Sequence, residues 1–266
     1  MKKLHALLFD MDGTLVDTEE LHRQAFNLAF LELQLGWDWD PELYAALLAI
    51  SGGRDRIARY IDDLDSPPGE KTRLRRLVPA IHQVKTGIYR DLLGGTMVRL
   101  RPGVARLVEE ARGAGLAIGI AATSASANVD ALVSAAFDAE TRAAIRATVS
   151  VDLVARRKPA PDIYELLLTM LGLPAADCVA FEDSCNGVAA AKAAGLFTVA
   201  TPTRWTVRQD FTAADLVLPS LGDPQAPLER SAAARIGGAP CLGLAELDTL
   251  RSPGSGAAVG LKRVVP

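Results

Sequence analysis

In the stretch FDMDGTLVDTEELH, Phe9 to His22, two aspartates stand one residue apart at the end of an apolar run, and the chain turns at once through Gly-Thr. Side chains on an extended chain alternate faces, so Asp10 and Asp12 share a face while Met11 points back into protein. Two like charges side by side repel, and they are tolerated where one carboxyl keeps its proton or a cation lies between them. Both remedies serve chemistry. A carboxylate in line with a phosphorus atom can attack it, and a neighbouring carboxyl can hand over a proton and take one back. Asp10 is the natural nucleophile and Asp12 the acid/base. Further along stand Thr123 and Ser124 of AATSAS, Lys158 of RRKPAPDIY, and Glu182 and Asp183 of FEDSCNG. Taken singly, DMDGT is a turn, FEDS a helix cap and Lys158 a solvated cation. Taken together, the acids call for a hard cation such as Mg²⁺, completed by waters and a phosphate oxygen, with Lys158 balancing the phosphate.

Those residues must be carried to one place. The runs LHALLFD, LAIGIAATS, RATVSVD, CVAFEDS, FTVAT and DLVLPS are short, apolar and end in small or polar residues, the signature of parallel strands buried on both faces. Helical stretches alternate with them. In PGVARLVEEARGAG, Val104, Leu107, Val108 and Ala111 keep helical spacing until Gly113 and Gly115 stop it. The pattern implies an α/β fold, a doubly wound Rossmann-like parallel sheet whose ligands sit beyond the carboxyl ends of the strands. Residues 18–95 break the rhythm with helical periodicity alone, and read as a small inserted α-helical cap able to act as a lid. The core then comprises residues 1–17 and 96–222. Residues 223–266 hold DPQAPLERSAAARIGGAP and SPGSGAAVG, and read as a surface loop and a loose terminus.

The chain has 266 residues, 49% of them hydrophobic, enough to bury a real core. A net charge of −3 gives no general attraction to nucleic acid or to an anionic membrane, so a phosphorylated partner must be held by a few placed cations. Three cysteines, Cys178, Cys185 and Cys241, form no disulfide framework. The apolar run in MKKLHALLFDMDG meets acidic residues before a signal-peptide core develops, so the expectation is a cytoplasmic, monomeric protein acting on a small molecule.

DMDGT, the strand-end Thr and Ser, the Lys of RRKPAPDIY and the acidic pair of FEDSCNG together resemble the four motifs of haloacid dehalogenase superfamily phosphatases. DTEELHRQAFN, SGGRDRIARY and KPAPDIY are similar to the CbbY-type phosphatases, which hydrolyse xylulose 1,5-bisphosphate, an inhibitor of Rubisco in the Calvin cycle. The resemblance implies that Asp10 is nucleophile and Mg²⁺ ligand, that Asp12 is acid/base and ligand through its carbonyl, and that Glu182 and Asp183 complete the metal site. Asn186 would extend the loop closing it. One position departs from the pattern: the hydroxyl usual at the second motif is replaced by Ala122, with Thr123 directly after it.

Substrate identity belongs to the cap, because the core chemistry treats every phosphate ester alike. Glu19 and His22, at helical spacing, suit sugar hydroxyls. Gly53, Arg54 and Arg56 open a helix whose amides and guanidinium groups suit a second phosphate. Ser124 and Asn186 join the substrate contacts. The expectation is a Mg²⁺-dependent sugar-bisphosphate phosphatase. The alternatives are a β-phosphoglucomutase, which Thr14 disfavours because mutases of this family tend to carry valine there, a phosphoglycolate phosphatase, or a sugar-phosphate-binding regulator without turnover.

Overall fold

A computed structural model describes residues 3–252. The chain divides into two compact units, Met1–Asp17 with Arg99–Pro266, and Thr18–Val98. In chain order the elements are β1 (Ala6–Phe9), then α1 (Glu19–Glu32), α2 (Pro41–Leu47), α3 (Gly53–Asp63), α4 (Pro68–Arg75) and α5 (Val78–Gly94) of the helical unit. There follow α6 (Val104–Gly113), β2 (Ala117–Ala122), α7 (Ser126–Ala136), α8 (Ala139–Ala144), β3 (Ile145–Ser150) and α9 (Asp162–Leu171). The chain continues with β4 (Cys178–Glu182), α10 (Cys185–Ala193), β5 (Phe197–Ala200), β6 (Leu216–Val217), α11 (Arg230–Ala233) and α12 (Leu244–Leu250).

All six runs read as strands from the sequence form one parallel sheet in the order β3-β2-β1-β4-β5-β6. Every residue of β1 and β4 is buried, which is why both run apolar rather than alternating until β4 ends in the buried Glu182. The chain direction of the sheet's growth reverses between β1 and β4, and in such folds the crevice beyond the strand ends at that reversal takes the ligand. Phe9 pairs with Phe181 in register and their rings stack at 4.6 Å, so the next residues, Asp10 and Glu182, must emerge side by side. Helix α6 buries Val104, Leu107, Val108 and Ala111, the spacing seen in the sequence.

The helical unit carries a core of its own. Trp39 is fully buried against Phe26 at 4.6 Å and Phe30 at 4.9 Å, and the Asn27 side chain pins its backbone by accepting from Trp39 N–H and donating to Trp39 O. Asp40 then caps α2 by accepting from Leu43 N–H.

The segment after Ser220 corrects the expectation of a surface loop. It forms α11 and α12 and buries Leu228, Ile236, Leu242 and Leu247. Apolar residues spaced among Ala, Gly and Pro hid this pattern. Arg106 of α6 donates to the carbonyls of Gly222 and Leu242, and Glu110 accepts from Leu244 N–H, so α6 stitches the segment down. The SPGSGAAVG stretch beyond Ser252, expected as a loose terminus, lies outside the described residues. Among the described residues, no helix is long and apolar enough to cross a membrane. Leu247→Ala is expected to lower the free energy of unfolding by about 2–4 kcal/mol, as for a leucine deleted from a packed core. Urea denaturation measures it, and a change within about 0.5 kcal/mol would show the segment to be a dispensable appendage.

Candidate active site

The ends of β1, β2 and β4 and the loop before α9 converge on one buried cluster. Lys158 is 3% exposed, and its ammonium donates to Asp10 Oδ1 at 2.7 Å, Glu182 Oε1 at 2.6 Å and the Ala121 carbonyl at 2.9 Å. All three donors of the lysine are thereby used. Burial opposes the ammonium, but Asp10 and Glu182 outweigh it and hold the Lys158 pKa above its ordinary value. Burial pushes the Asp10 carboxyl up to about 7 against the pull of Lys158, with Glu182 and Asp12 adding to the rise. One lysine therefore serves two carboxyls.

Asp12 lies beside this pair in a tight turn. The amides of Thr14, Leu15 and Val16 all donate to the Met11 carbonyl, and Gly13 N–H donates to Val16 O. Gly13 has a φ of 88°, a conformation open to glycine, and a Cβ there would stand 2.3 Å from Asp183 Oδ2. The glycine of DMDGT thus brings the β1 turn against the β4 acid. Asp12 Oδ2 accepts from the Ser124 hydroxyl at 2.8 Å. Of the two hydroxyls noted after β2, Ser124, two residues beyond its end at Ala122, is the one bonded to Asp12. Thr14 is buried, with its hydroxyl unpartnered.

Asp10, Glu182 and Asp183 each offer an oxygen, all within 4.8 Å of one another. Glu182 Oε2 is buried without a hydrogen-bond partner, while Lys158 satisfies only Oε1. An all-oxygen, carboxylate-rich set of this kind fits a hard divalent cation. Asn186 lies in the first turn of α10, half-buried, just after Ser184 caps that helix by accepting from Gly187 N–H.

Tyr164 escaped notice in the sequence. Its hydroxyl donates to Glu182 Oε1 at 2.6 Å and its ring lies under the Lys158 ammonium at 5.2 Å. Burial, then Glu182 and Asp10, hold the phenol well above its ordinary pKa, so it remains a donor. The signal was available: Tyr164 sits six residues after Lys158 in KPAPDIY, on the α9 face that carries Ile163 and Leu167 into the core.

In the helical unit, Glu19 accepts from the Tyr44 hydroxyl at 2.7 Å. His22 is buried, its Nδ1 2.6 Å from the Lys85 ammonium and its ring stacked on Tyr89 at 4.0 Å. Lys85, unnoticed in the sequence, also lies over the rings of Phe26 and Tyr89. Gly53 opens α3 with its Cα against the His82 ring, and Arg54 is exposed. Arg56 behaves differently from its neighbour. Its guanidinium donates to the carbonyls of Leu47 and Ile50 and to the Tyr44 hydroxyl, which ties it to the loop between α2 and α3 rather than offering it to a ligand.

The haloacid dehalogenase-like hydrolase profile matches residues 4–195, well over half of the chain. The chain belongs to the haloacid dehalogenase-like hydrolases. Among relatives of this hydrolase, the plasmid-encoded protein CbbY of Cupriavidus necator is 46% identical over 225 residues, covering 85% of this chain and 89% of the relative. The crystal structure of CbbY from Rhodobacter sphaeroides in complex with phosphate superposes with a TM-score of 0.76 at 40% identity, covering 92% of this chain and 99% of that one. A D10N mutant of that same protein, crystallised with xylulose 1,5-bisphosphate, superposes with a TM-score of 0.74 at 40% identity, covering 84% and 98%.

In the hydrolase, Gly187 lies against the Glu182 carboxylate so closely that a Cβ would stand 1.8 Å from Oε2. Gly187→Ala is expected to swing that carboxylate away and lower turnover about 100-fold, the usual scale for misplacing one group of a catalytic set. Steady-state hydrolysis, with circular dichroism to confirm folding, checks it. Wild-type turnover in the folded variant would mean that the Glu182 position is immaterial.

Proposed function

We propose that this hydrolase is a Mg²⁺-dependent phosphatase acting on xylulose 1,5-bisphosphate through an aspartyl phosphate on Asp10. The observation that carries the reading is the buried Lys158, shared between Asp10 and Glu182 next to a metal-capable acidic cluster, in a chain of this hydrolase family. The likeness to the R. sphaeroides protein crystallised with xylulose 1,5-bisphosphate supports the choice of substrate.

Asp10, Glu182 and Asp183, with the Asp12 carbonyl, would hold the Mg²⁺, which when bound neutralises phosphate charge and orients the phosphoryl group for in-line attack. Lys158 fixes one oxygen of Asp10, so the other is aimed, and its charge offsets the negative charge spread over the transferring group. Asp10 forms the new P–O bond as the sugar–oxygen bond to phosphorus breaks. Asp12, oriented by Ser124, gives its proton to the departing alkoxide. It then takes a proton from the water that attacks phosphorus, and Asp10 leaves as a carboxylate with inorganic phosphate. Thr123, whose hydroxyl is not spent on Asp12, and the amides after β2 donate hydrogen bonds to the phosphate oxygens, with Ser124 beside them and Asn186 bordering the substrate.

Recognition of the rest of the substrate falls to the helical unit on chemical grounds. Glu19 and His22 supply an acceptor and an imidazole for sugar hydroxyls, and Gly53 and Arg54 at the α3 N-terminus supply amides and a cation for the second phosphate. Arg56 supports the loop behind them.

Phosphate release from xylulose 1,5-bisphosphate tests the reading directly. Wild type should turn over with Mg²⁺ and stop in excess chelator, and Asp10→Asn should be slower by about 10³-fold or more while folding normally. A folded Asp10→Asn enzyme near the wild-type rate would exclude the covalent mechanism. Specificity is tested separately. Arg54→Ala should lower kcat/KM for the bisphosphate about 10- to 100-fold, the loss of one charge-assisted phosphate contact, while a small monophosphate such as phosphoglycolate is hydrolysed nearly as before. Equal losses on both substrates would assign Arg54 a general role instead.

A further inference from the structure

Arg101 is a half-buried cation of the sheet unit, and no step above uses it. Its Nη1 donates to the Gly13 carbonyl, to the Thr201 carbonyl at 2.6 Å and to the Thr201 hydroxyl at 3.0 Å. Its Nη2 donates to the carbonyls of Pro202 at 3.2 Å and Pro219 at 3.3 Å. Its own amide donates to Leu15 O at 2.9 Å. One side chain thereby joins the turn after β1, the end of β5 and the loop after β6.

What these acceptors have in common is their nearness to the acids. Gly13 follows Asp12 directly, and its Cα is the surface on which the Asp183 carboxylate rests. Thr201 donates its amide to the Glu182 carbonyl at 2.7 Å, and the Thr206 hydroxyl further along that loop reaches Asp183 Oδ2 at 3.5 Å. The bonded acceptors are carbonyls and a hydroxyl, so the guanidinium acts here as a rigid fork with several directed donors and not simply as a counter-ion. A cation partly withdrawn from water gives up hydration that a packed apolar side chain would not.

We infer that Arg101 is a positioning residue for phosphoryl transfer: by gripping the Gly13 carbonyl and Thr201 together it fixes Asp12 and Asp183 relative to Asp10. The inference rests on the phosphatase reading of Asp10 and Asp12. The fork suits these acceptors because Nη1 and Nη2 donate from two separate positions, whereas every donor of a lysine radiates from one nitrogen. Loosening the turn displaces the proton donor without touching the groups that bind the sugar, so the loss falls on turnover and not on binding.

The test compares full-length wild type, Arg101→Lys, Arg101→Met and, as a control, Arg106→Met, whose arginine also bridges several carbonyls of the sheet unit but away from the acids. Hydrolysis of xylulose 1,5-bisphosphate and of p-nitrophenyl phosphate is measured beside thermal melting and hydrogen exchange. In both Arg101 variants kcat should fall about 10- to 100-fold on either substrate with KM within about 3-fold. Exchange should quicken in peptides spanning residues 10–17 and 198–206 and stay unchanged in 18–98. Arg106→Met should lower the melting temperature with kcat kept. If Arg101→Met does not fold, Arg101→Lys, which retains stem and charge, carries the comparison. Wild-type kcat in a folded Arg101 variant, or an equal kcat loss in Arg106→Met, overturns the inference. If wild type hydrolyses neither substrate, the phosphatase reading fails, and unchanged exchange at 10–17 would separately overturn the grip on Gly13.

Discussion

The Lys158 ammonium, held between Asp10 and Glu182 with almost no access to water, constrains everything built around it. Removing charges from water costs several kcal/mol per ion, and that cost is recovered only where geometry is close and every donor is used. Here the third donor goes to the Ala121 carbonyl, so the lysine also reads the position of β2. The lysine can satisfy all three partners only if β2, β1 and β4 are adjacent and in the register observed, with Ala121, Asp10 and Glu182 level with one another. The sheet order and the chemistry are one constraint seen from two sides. An acid pair sharing a single lysine keeps unspent negative charge, the electrostatic condition that favours a hard cation.

Two glycines set how tightly the acids can gather. Gly13 lets the turn after β1 close on Asp183, and Gly187 lets the first turn of α10 close on Glu182. At both sites the partner is a carboxylate, so a side chain would act on the metal-capable cluster before it acted on the apolar core. Tyr164 and Ser124 finish the arrangement by donating to Glu182 and Asp12, leaving the orientation of both acids fixed by named donors.

Much of this was legible in the sequence, for physical reasons. The central strands are buried on both faces and apolar up to their ends, so the polar residues Asp10, Asp12, Glu182 and Asp183 that follow stood out; β3 and β6, partly exposed, were legible from short apolar runs between turns. Other residues were hidden because their roles depend on direction rather than type. Whether Thr123 or Ser124 meets Asp12 turns on where β2 stops. Arg54 and Arg56 look alike in sequence, yet one is exposed while the other is bonded to the Leu47 and Ile50 carbonyls. Tyr164 escaped notice because its ring belongs to the apolar core and only its hydroxyl reaches the acids. Arg101 drew no reading, since its acceptors are mostly backbone groups distant in sequence and no side-chain pattern marks them. The segment after Ser220 reads as loop because its buried residues are spread among alanines, glycines and prolines, a composition that conceals the period.

The helical unit follows a different economy. Aromatic residues are only 5% of the chain, yet Phe26, Phe30, Trp37, Trp39, Tyr44 and Tyr60 pack on one another within this one unit. A small unit has a high ratio of surface to volume and needs large side chains to gain enough burial for stability. Those same side chains reach its polar residues: Tyr44 donates to Glu19, and Tyr89 and Phe26 enclose the Lys85 that meets His22. The core of the unit therefore fixes the rotamers of its polar groups. A unit whose aromatic core holds its own polar groups can accept changes at its surface without repacking the sheet, and one sheet chemistry can then be paired with different inserted units.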